Sequence, residues 1–429
     1  MATLAAGLAP ACFYLCDAPV ARRGQNSGRK PGGMSAVPLR KAALDVRHLP
    51  SITDVSRESW DRLFPGKAES YDYFRACERA SPDEFTASAM GVFDGDDLVA
   101  AVPLFRTDYR LDMSLEGALK PVVEWIHRKA PRLVAIPVLG MGSPLTEECP
   151  IGFAPGMSDS DRAATFEALL AGFEAYAKAN KIDLMALKDI TDRDAAWAHD
   201  LLASEHFTRV ATLPLGTVHL PFENEDEYLA SLSGSMRSDI RKKLRRSRAT
   251  IEIRDTIDGF EDEIVQLFEE TKSNRKTDYG AFDEVPANYF REVMQAMPGR
   301  AKLMLARVDG VLATFNIFFV EKDRVIGKYV GMRYPLAREH NLYFVNWMAT
   351  ARYCMEHGIP WLQTGHTSYR QKVRLGCKLK RSWIYFKHTS PVFNPLFKLF
   401  GPKMAFDAMD PDLQALGDDA PYLAPGEAP

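Results

Sequence analysis

The chain has 429 residues, of which 46% are hydrophobic and 26% charged, a composition typical of a folded protein with two or three domains. Its 54 basic and 57 acidic residues give a net charge of −3, which argues against a general electrostatic coat for nucleic acid. No stretch approaches the roughly 18 uninterrupted apolar residues of a transmembrane helix. The six cysteines form no Cys-x-x-Cys motif and no Cys/His cluster, so we predict buried free thiols, no metal site and a reducing compartment.

The two ends of the chain differ in composition from its body. Residues 1–40 are rich in Ala, Gly, Pro and Arg and lack periodicity, which predicts a disordered tail without a secretory signal. Residues 401–429 carry one base against six acids, which predicts a solvated acidic tail.

The body repeats one order of elements. Asp-Gly turns join apolar runs at residues 92–101 and again at 307–314, and each is a strong hairpin signal. Each predicted hairpin is followed by a strand, an amphipathic helix and a further strand; the helices fall at 161–180 and 342–356, and the last strands at 182–188 and 359–364. We therefore predict an α/β fold with two related domains in tandem, each a mixed central sheet flanked by helices. The predicted divisions are a tail at 1–40, domains at 41–214 and 215–392, and an amphipathic segment with the acidic tail at 393–429.

A basic helix is predicted at the start of the second domain. Between residues 228 and 248 the apolar side chains recur at spacings of three and four, and Ser233 or Ser235 is the expected N-cap. The other faces carry seven bases within twelve residues, Arg241 and Arg245 among them. This pattern indicates either a solvated face or an anion site for a phosphorylated donor, RNA or an anionic lipid surface.

Four segments of the second half carry a family resemblance. They are residues 235–248, 306–314, 327–331 and 364–376, the last reading Thr-Gly-His-Thr-Ser-Tyr-Arg-Gln-Lys-Val-Arg-Leu-Gly. These segments resemble Fem-like proteins of the GNAT acyltransferase superfamily, whereas residues 45–214 resemble them in architecture only. The resemblance implies two tandem GNAT-like domains around a cleft, and transfer of an acyl group from acyl-CoA, or of an aminoacyl group from tRNA, to an amine.

The resemblance also implies where the donor binds. Lys372 matches a lysine that recurs near the donor in the family, and the turn at 333–342 corresponds to the pyrophosphate loop of GNAT proteins, without its glycine-rich signature. We expect acyl-CoA as a co-substrate, with no permanently bound cofactor. The predicted donor-binding residues are Lys372, Arg374, Arg338, Asn341, Arg241 and Arg245.

Acylation of an amine requires a general base with a pKa near the working pH. His366 follows a predicted strand among small polar residues, so we predict that it is the base. Tyr369 is the candidate proton donor to the leaving group, and Glu339 is a second candidate base. A hydrogen-bonded structural histidine, a packed tyrosine and a surface carboxylate are the alternative interpretations.

Two apolar segments flanked by bases, at 111–126 and 393–406, are typical of an interfacial helix or a long-chain pocket. They favour a long acyl chain and an amine of an amino-lipid or cell-envelope precursor as acceptor, a ceramide-forming step being one such reaction. We expect a cytoplasmic protein, with peripheral contact to the inner membrane face as an option.

Two other functions stay open at this stage. One is an aminoacyl-tRNA-dependent transferase that builds peptidoglycan bridges, which would have nucleic acid as a partner. The other is a non-catalytic GNAT-like binding module. The zinc-peptidase motif H-E-x-x-H, the esterase motif G-x-S-x-G and a phosphate loop ending in Gly-Lys-Ser/Thr are absent from the sequence.

Overall fold

The structure is a computed structural model that describes residues 44–80, 85–110, 135–274, 285–400 and 405–429. Its strands are β1 Asp45–Leu49, β2 Thr86–Asp94, β3 Asp97–Arg110, β4 Ala135–Met141, β5 Gly152–Phe153, β6 Leu184–Thr191, β7 Thr208–Ala211, β8 Leu215–His219, β9 Ala249–Arg254, β10 Ala301–Val308, β11 Val311–Val320, β12 Arg324–Met332, β13 Trp361–Gln363, β14 Lys378–Lys380 and β15 Ser382–His388. Its α-helices are α1 Arg57–Asp61, α2 Tyr71–Ala80, α3 Asp159–Ala179, α4 Asp192–Ser204, α5 Glu225–Ser231, α6 Gly234–Arg246, α7 Glu261–Ser273, α8 Tyr289–Ala296, α9 Leu336–Glu339, α10 Leu342–Glu356, α11 Tyr369–Arg374, α12 Phe393–Phe400 and α13 Pro411–Leu416.

Both predicted hairpins are confirmed. β2 and β3 are joined at Gly95, which has φ 65°, and β10 and β11 are joined at Asp309 and Gly310, with φ 49° and 84°. In the second turn both central residues have positive φ, which matches the twist of the flanking strands and which an Asp-Gly pair adopts at low cost; in the first turn Gly95 alone supplies the positive φ.

The strands form two mixed sheets with matching order. The first runs β1-β2-β3-β4-β6-β15-β7, with β5 beside β3, and the second runs β9-β10-β11-β12-β13-β8-β14. In each sheet one neighbouring pair is parallel, β4 with β6 and β12 with β13, and the other pairs along the path are antiparallel. The predicted repeat of hairpin, strand, helix and strand is therefore present in both halves.

The two halves exchange strands. β8 follows β7 directly in the chain but lies in the second sheet, and β15 follows β14 but lies in the first sheet between β6 and β7. The segment predicted as the second domain, 215–392, thus supplies one strand to the sheet of the first. The exchange makes each sheet dependent on the other half of the sequence.

The halves also share a core. One cluster of buried apolar side chains joins Trp60, Tyr73 and Phe105 of the first half to Phe268 and Tyr289 of the second. Helices α3 and α4 cover the opposite face of the first sheet, and α5, α6 and α10 cover that of the second. As predicted, the described cysteines are buried free thiols: Cys77, Cys149, Cys354 and Cys377.

The predicted basic helix is two helices. The chain turns to an extended conformation at Leu232, with ψ 162°, so α5 ends there and α6 begins after Ser233. The hydroxyl of Ser233 accepts a hydrogen bond from the backbone N–H of Met236 at 3.3 Å, which confirms Ser233 as the N-cap. The apolar residues therefore keep a helical spacing along the sequence, although the helical backbone is interrupted at Leu232 and Ser233.

Residues 405–429 pack against the second sheet instead of forming a solvated tail. Leu413 and Leu423 are buried, and Leu379 of β14 exchanges backbone hydrogen bonds of 2.9 Å with Pro421 and Leu423. The physical reason is that a few apolar side chains among the acids bury enough surface to hold the segment. By contrast, α12 and its flank expose Val392, Phe393 and Leu399, and the predicted tail at 1–40 and apolar segment at 111–126 lie outside the described residues.

None of the helices in the described part of the chain is both long and apolar enough to cross a membrane.

Replacement of Leu413 by Ala tests whether the C-terminal segment is part of the core. Because Leu413 is buried against Tyr369 and Leu379, we expect the free energy of unfolding to fall by about 2–3 kcal/mol. Leu399→Ala is the matched control, since Leu399 is exposed and its loss changes stability by about 0.5 kcal/mol at most. Urea denaturation measures both; equal values for the two variants would contradict the packed segment.

Candidate active site

The second sheet opens into a wedge between two parallel strands. β12 and β13 pair over three positions, from Arg324 opposite Trp361 to Ile326 opposite Gln363. β13 then ends, while β12 continues to Met332 paired to β11 alone among the described strands. Residues 327–330 are partly exposed within a strand that is otherwise buried. The wedge thus presents the backbone of β12 where a central strand normally has a second partner.

A strained turn forms the β13 side of the wedge. Gly365, Thr367 and Ser368 have φ values of 67°, 68° and 55°, a region that non-glycine residues seldom occupy. The Lys372 ammonium, one turn into α11, donates hydrogen bonds to the carbonyls of Thr364, Gly365 and His366 at 2.7, 2.8 and 2.8 Å. An ammonium has three N–H groups, so these bonds use all of them. Lys372 therefore fixes the turn, and burial lowers its pKa to about 8.

His366 lies within this turn. Its Nδ1 is 3.3 Å from the carbonyl oxygen of Pro214, an acceptor, so we assign the proton to Nδ1 and the lone pair to Nε2. The Tyr369 hydroxyl donates to the same carbonyl at 2.8 Å. Burial lowers the pKa of His366, and the charges of Asp189 and Glu147 oppose it only in part. At neutral pH His366 is therefore an uncharged base.

A carboxylate from the first half of the chain reaches the turn. Glu147 lies on the connection after β4, and its Oε2 accepts a hydrogen bond of 2.7 Å from the Gln363 side-chain amide. Its Oε1 would be only 2.9 Å from the β-carbon of any residue larger than glycine at position 365, which is too close for an ordinary contact. The absence of a side chain on Gly365 therefore leaves the space that the carboxylate occupies. Glu147 and His366 thus flank the end of β13 from opposite halves of the sequence.

Buried ion pairs hold this arrangement. The Arg324 guanidinium donates to Gln363, Glu321 and Glu148 at 2.8, 2.8 and 3.0 Å. Burial opposes ionisation of Glu148, but Arg324 and Lys380 outweigh it and hold the pKa of Glu148 well below its usual range. Complete pairing of buried charges is the condition under which they do not destabilise a fold.

A second polar region lies at the start of α10, on the loop that follows β12. Asn341 has φ 53° and its side chain forms no cap, so the helix begins with free N–H groups. His340 is buried; its Nδ1 accepts from the Arg248 backbone N–H at 3.4 Å, while its Nε2 and the Tyr343 hydroxyl have no hydrogen-bond partner among the described residues. The basic end of α6 therefore meets the start of α10, where two polar atoms lack partners.

Comparison with known proteins identifies the arrangement. A family model described as an acetyltransferase (GNAT) domain matches residues 234–373, which contain the wedge, the turn and the start of α10. Residues 234–373 are therefore a GNAT-type acyltransferase domain. No curated protein sequence gives a match.

One solved structure shows a shared fold, and two others are similar. FemX is 14% identical to this chain, with 83% of this chain and 100% of that chain covered at a TM-score of 0.54. A tandem GNAT protein from the clavulanic acid biosynthesis pathway is 15% identical, covering 81% of this chain and 99% of its own, with a TM-score of 0.49. The C-terminal domain of a putative lysylphosphatidylglycerol synthetase from Agrobacterium fabrum is 11% identical, covering 80% and 95%, with a TM-score of 0.47.

The site residues predicted from the sequence fall into two groups. His366, Tyr369 and Lys372 meet at the turn, whereas Arg338 and Glu339 end the short helix α9 and Asn341 precedes the first residue of α10. Their roles stay predictions, but the geometry limits them. A phosphate on Lys372 would have to replace the three carbonyls that it now binds, and Glu339 is an exposed side chain 3.6 Å from His340 Nε2.

The remaining predicted residues lie on the surface. Arg241 pairs with Asp226 at 2.9 Å, Arg245 is exposed near the end of α6, and Arg374 is exposed at the end of α11. Glu147, Gln363 and Arg324 belong to no motif from which a site could be predicted. Glu147 carried a weak signal, since it begins an acidic pair, Glu147-Glu148, in the connection between β4 and β5.

Replacement of Lys372 by Met separates a structural role from a donor-binding role. Because the three carbonyls lose the Lys372 donor and only that of Gly365 keeps another, the Gly216 N–H, we expect the free energy of unfolding of the protein to fall by about 1–3 kcal/mol. Arg374→Met removes an exposed charge from the same helix, and its stability should stay within about 0.5 kcal/mol of the parent. Urea titration followed by tryptophan fluorescence compares the two. A Lys372→Met protein as stable as Arg374→Met but unable to bind donor would reverse the assignment.

Proposed function

We propose that this acyltransferase moves an acyl group from acyl-CoA to a primary amine, with an amino-lipid or cell-envelope precursor as the acceptor. The observation that carries the proposal is His366, a neutral imidazole whose Nε2 retains its lone pair and which lies in the turn that follows β13, where the pairing of β12 with β13 has ended. A neutral base at such an edge suits deprotonation of an amine that attacks an activated carbonyl.

The start of α10 supports a phosphorylated donor. A helix N-terminus with uncapped N–H groups attracts phosphate, and Arg245 and Arg246 at the end of α6 add positive charge. The unpartnered His340 Nε2 and Tyr343 hydroxyl are further hydrogen-bonding groups for such a ligand. From this point the donor would follow the exposed part of β12 toward the turn.

The wedge itself supports the thioester. Ile317 faces Tyr329 and Phe318 faces Gly327, so Lys328 is an extra residue in β12 and bends the strand. Backbone N–H groups that a partner strand would normally satisfy are then available to the thioester oxygen as it gains negative charge. The amine nitrogen bonds to the acyl carbon, one proton passes to His366 Nε2, and the carbon–sulfur bond breaks to release the coenzyme A thiolate.

The exposed apolar residues Val392, Phe393 and Leu399 support a lipidic acceptor or acyl chain, since they form an apolar surface on α12 and its flank next to Lys398.

The exposed bases of α6 favour a second candidate, transfer from aminoacyl-tRNA. Lys242, Arg245 and Arg246 lie on the surface of the helix, where a nucleic acid backbone has access. Ribonuclease treatment separates the candidates, because it removes a tRNA donor and leaves acyl-CoA intact.

Replacement of His366 by Asn tests the base. Asn retains a side-chain N–H for the Pro214 carbonyl but has no lone pair of useful basicity, so we expect turnover to fall by about 10²- to 10⁴-fold with little change in melting temperature. Release of coenzyme A from palmitoyl-CoA, measured with a panel of primary amines, gives the rate. In the parent protein kcat should fall at acidic pH with a midpoint below 6.5, because protonation of His366 removes the base. Unchanged turnover in the variant would remove His366 from the mechanism.

Replacement of Arg245 by Gln tests the donor site. We expect coenzyme A to raise the melting temperature of the parent protein, and the variant to bind it about threefold to tenfold more weakly through loss of one charge-assisted phosphate contact. Arg47→Gln, an exposed change on β1, is the control and should bind as the parent does. Absence of coenzyme A binding, with transfer that ribonuclease abolishes, would favour the tRNA donor.

A further inference from the structure

The Glu147 carboxylate is held rigidly at the mouth of the turn. One oxygen accepts from the Gln363 amide, and Gln363 is in turn fixed by the Arg324 guanidinium at 2.8 Å. The other oxygen, Oε1, has no hydrogen-bond partner among the described residues and faces Gly365, next to His366. An immobile carboxylate with one unused oxygen beside a neutral base is a preorganised site for a cation that is about to lose a proton.

The basic groups around Glu147 are already engaged. Lys328 binds Glu69 and the Leu145 carbonyl at 2.6 and 2.9 Å, and Lys188 binds Asp189 and the Thr146 carbonyl. Arg324 and Lys372 have the partners described above. Each of these cations is therefore neutralised or saturated, so the free oxygen of Glu147 gives the site an attraction for positive charge.

We propose that Glu147 is the ammonium-binding residue of the acceptor subsite and that it selects primary amines with no carboxylate beside the nitrogen. This assignment rests on the proposed function. The acceptor binds as an ammonium through Glu147 Oε1 and loses one proton to His366 Nε2, which passes it to solvent. The neutral amine then attacks the thioester as above, so Glu147 changes neither its bonds nor its charge.

The exclusion of a neighbouring carboxylate follows from charge. An α-amino acid would bring its own anion close to Glu147, while Lys372 has no N–H group to spare for it and the charges of Lys328 and Arg324 are already offset by buried carboxylates. The two carboxylates would repel each other strongly in a partly buried site. This repulsion discriminates against the α-amino acid and adds little to the affinity for a simple amine.

The experiment uses two acceptors that differ by one group, dodecylamine and 2-aminododecanoate, with palmitoyl-CoA as donor. For the parent protein we expect kcat/KM to favour dodecylamine by about 100-fold or more. Glu147→Gln keeps the size of the side chain and an acceptor oxygen for Gln363. It should raise KM for dodecylamine about tenfold. It should also lower the ratio of kcat/KM for dodecylamine to that for 2-aminododecanoate by about tenfold or more. Glu147→Asp keeps the charge and should retain the preference at a lower rate.

Glu167→Gln is the matched control, because it removes the same charge from an exposed position on α3 and should leave both acceptors unchanged. An unaltered preference in Glu147→Gln, with transfer intact, would overturn the assignment of Glu147 alone. Transfer by the parent protein to neither amine nor any of the wider panel would overturn the proposed function and this assignment with it. Loss of the preference in both Glu147→Gln and Glu147→Asp would show that shape, not charge, selects the acceptor.

Discussion

The interaction on which the site depends is the contact between one ammonium and three consecutive carbonyls. The backbone after β13 turns sharply enough that the Thr364, Gly365 and His366 carbonyls all accept from one point, and among them Gly365 alone also accepts from a strand, through the Gly216 N–H of β8 at 3.1 Å. A lysine supplies three hydrogens from a single point, and no uncharged side chain does so. The strain of Thr367 and Ser368 is held by this contact, because their unfavourable φ values are a consequence of the same turn.

The exchange of strands explains how residues of both halves meet at that turn. β8 carries the chain from the first sheet into the second and ends beside β13, while β15 returns it to the first sheet. Pro214, one residue before β8, supplies the carbonyl that orients both His366 and Tyr369. Glu147 arrives independently, from the connection after β4. Neither half of the sequence contains a complete site, since each provides groups that the other positions.

Local signals in the sequence predicted local structure well and long-range structure poorly. The Asp-Gly turns, the helix at 342–356 and the Ser233 cap depend on residues within a few positions of one another, and all three are present. The hydrogen bond between Glu147 and Gln363 joins residues 216 apart, and no periodicity or motif encodes such a pair. The prediction of a solvated C-terminal tail was wrong because it rested on the average composition of the segment. Two of its residues, Leu413 and Leu423, are buried, and their burial decides where the segment lies.

The distribution of charge separates the two tasks of the site. Arg324 and Lys328 are paired with buried carboxylates and Lys372 is saturated by carbonyls, so the interior offers little to a polyanionic donor and suits a neutral thioester. Unpaired positive charge lies at the surface, at the end of α6 beside the start of α10, where phosphate keeps part of its hydration. A donor with charged phosphates at one end and a neutral acyl group at the other matches this division. A ligand charged along its whole length would leave phosphates unsatisfied in the wedge, and this difference supports the proposed acyl-CoA donor over a nucleic acid in the interior.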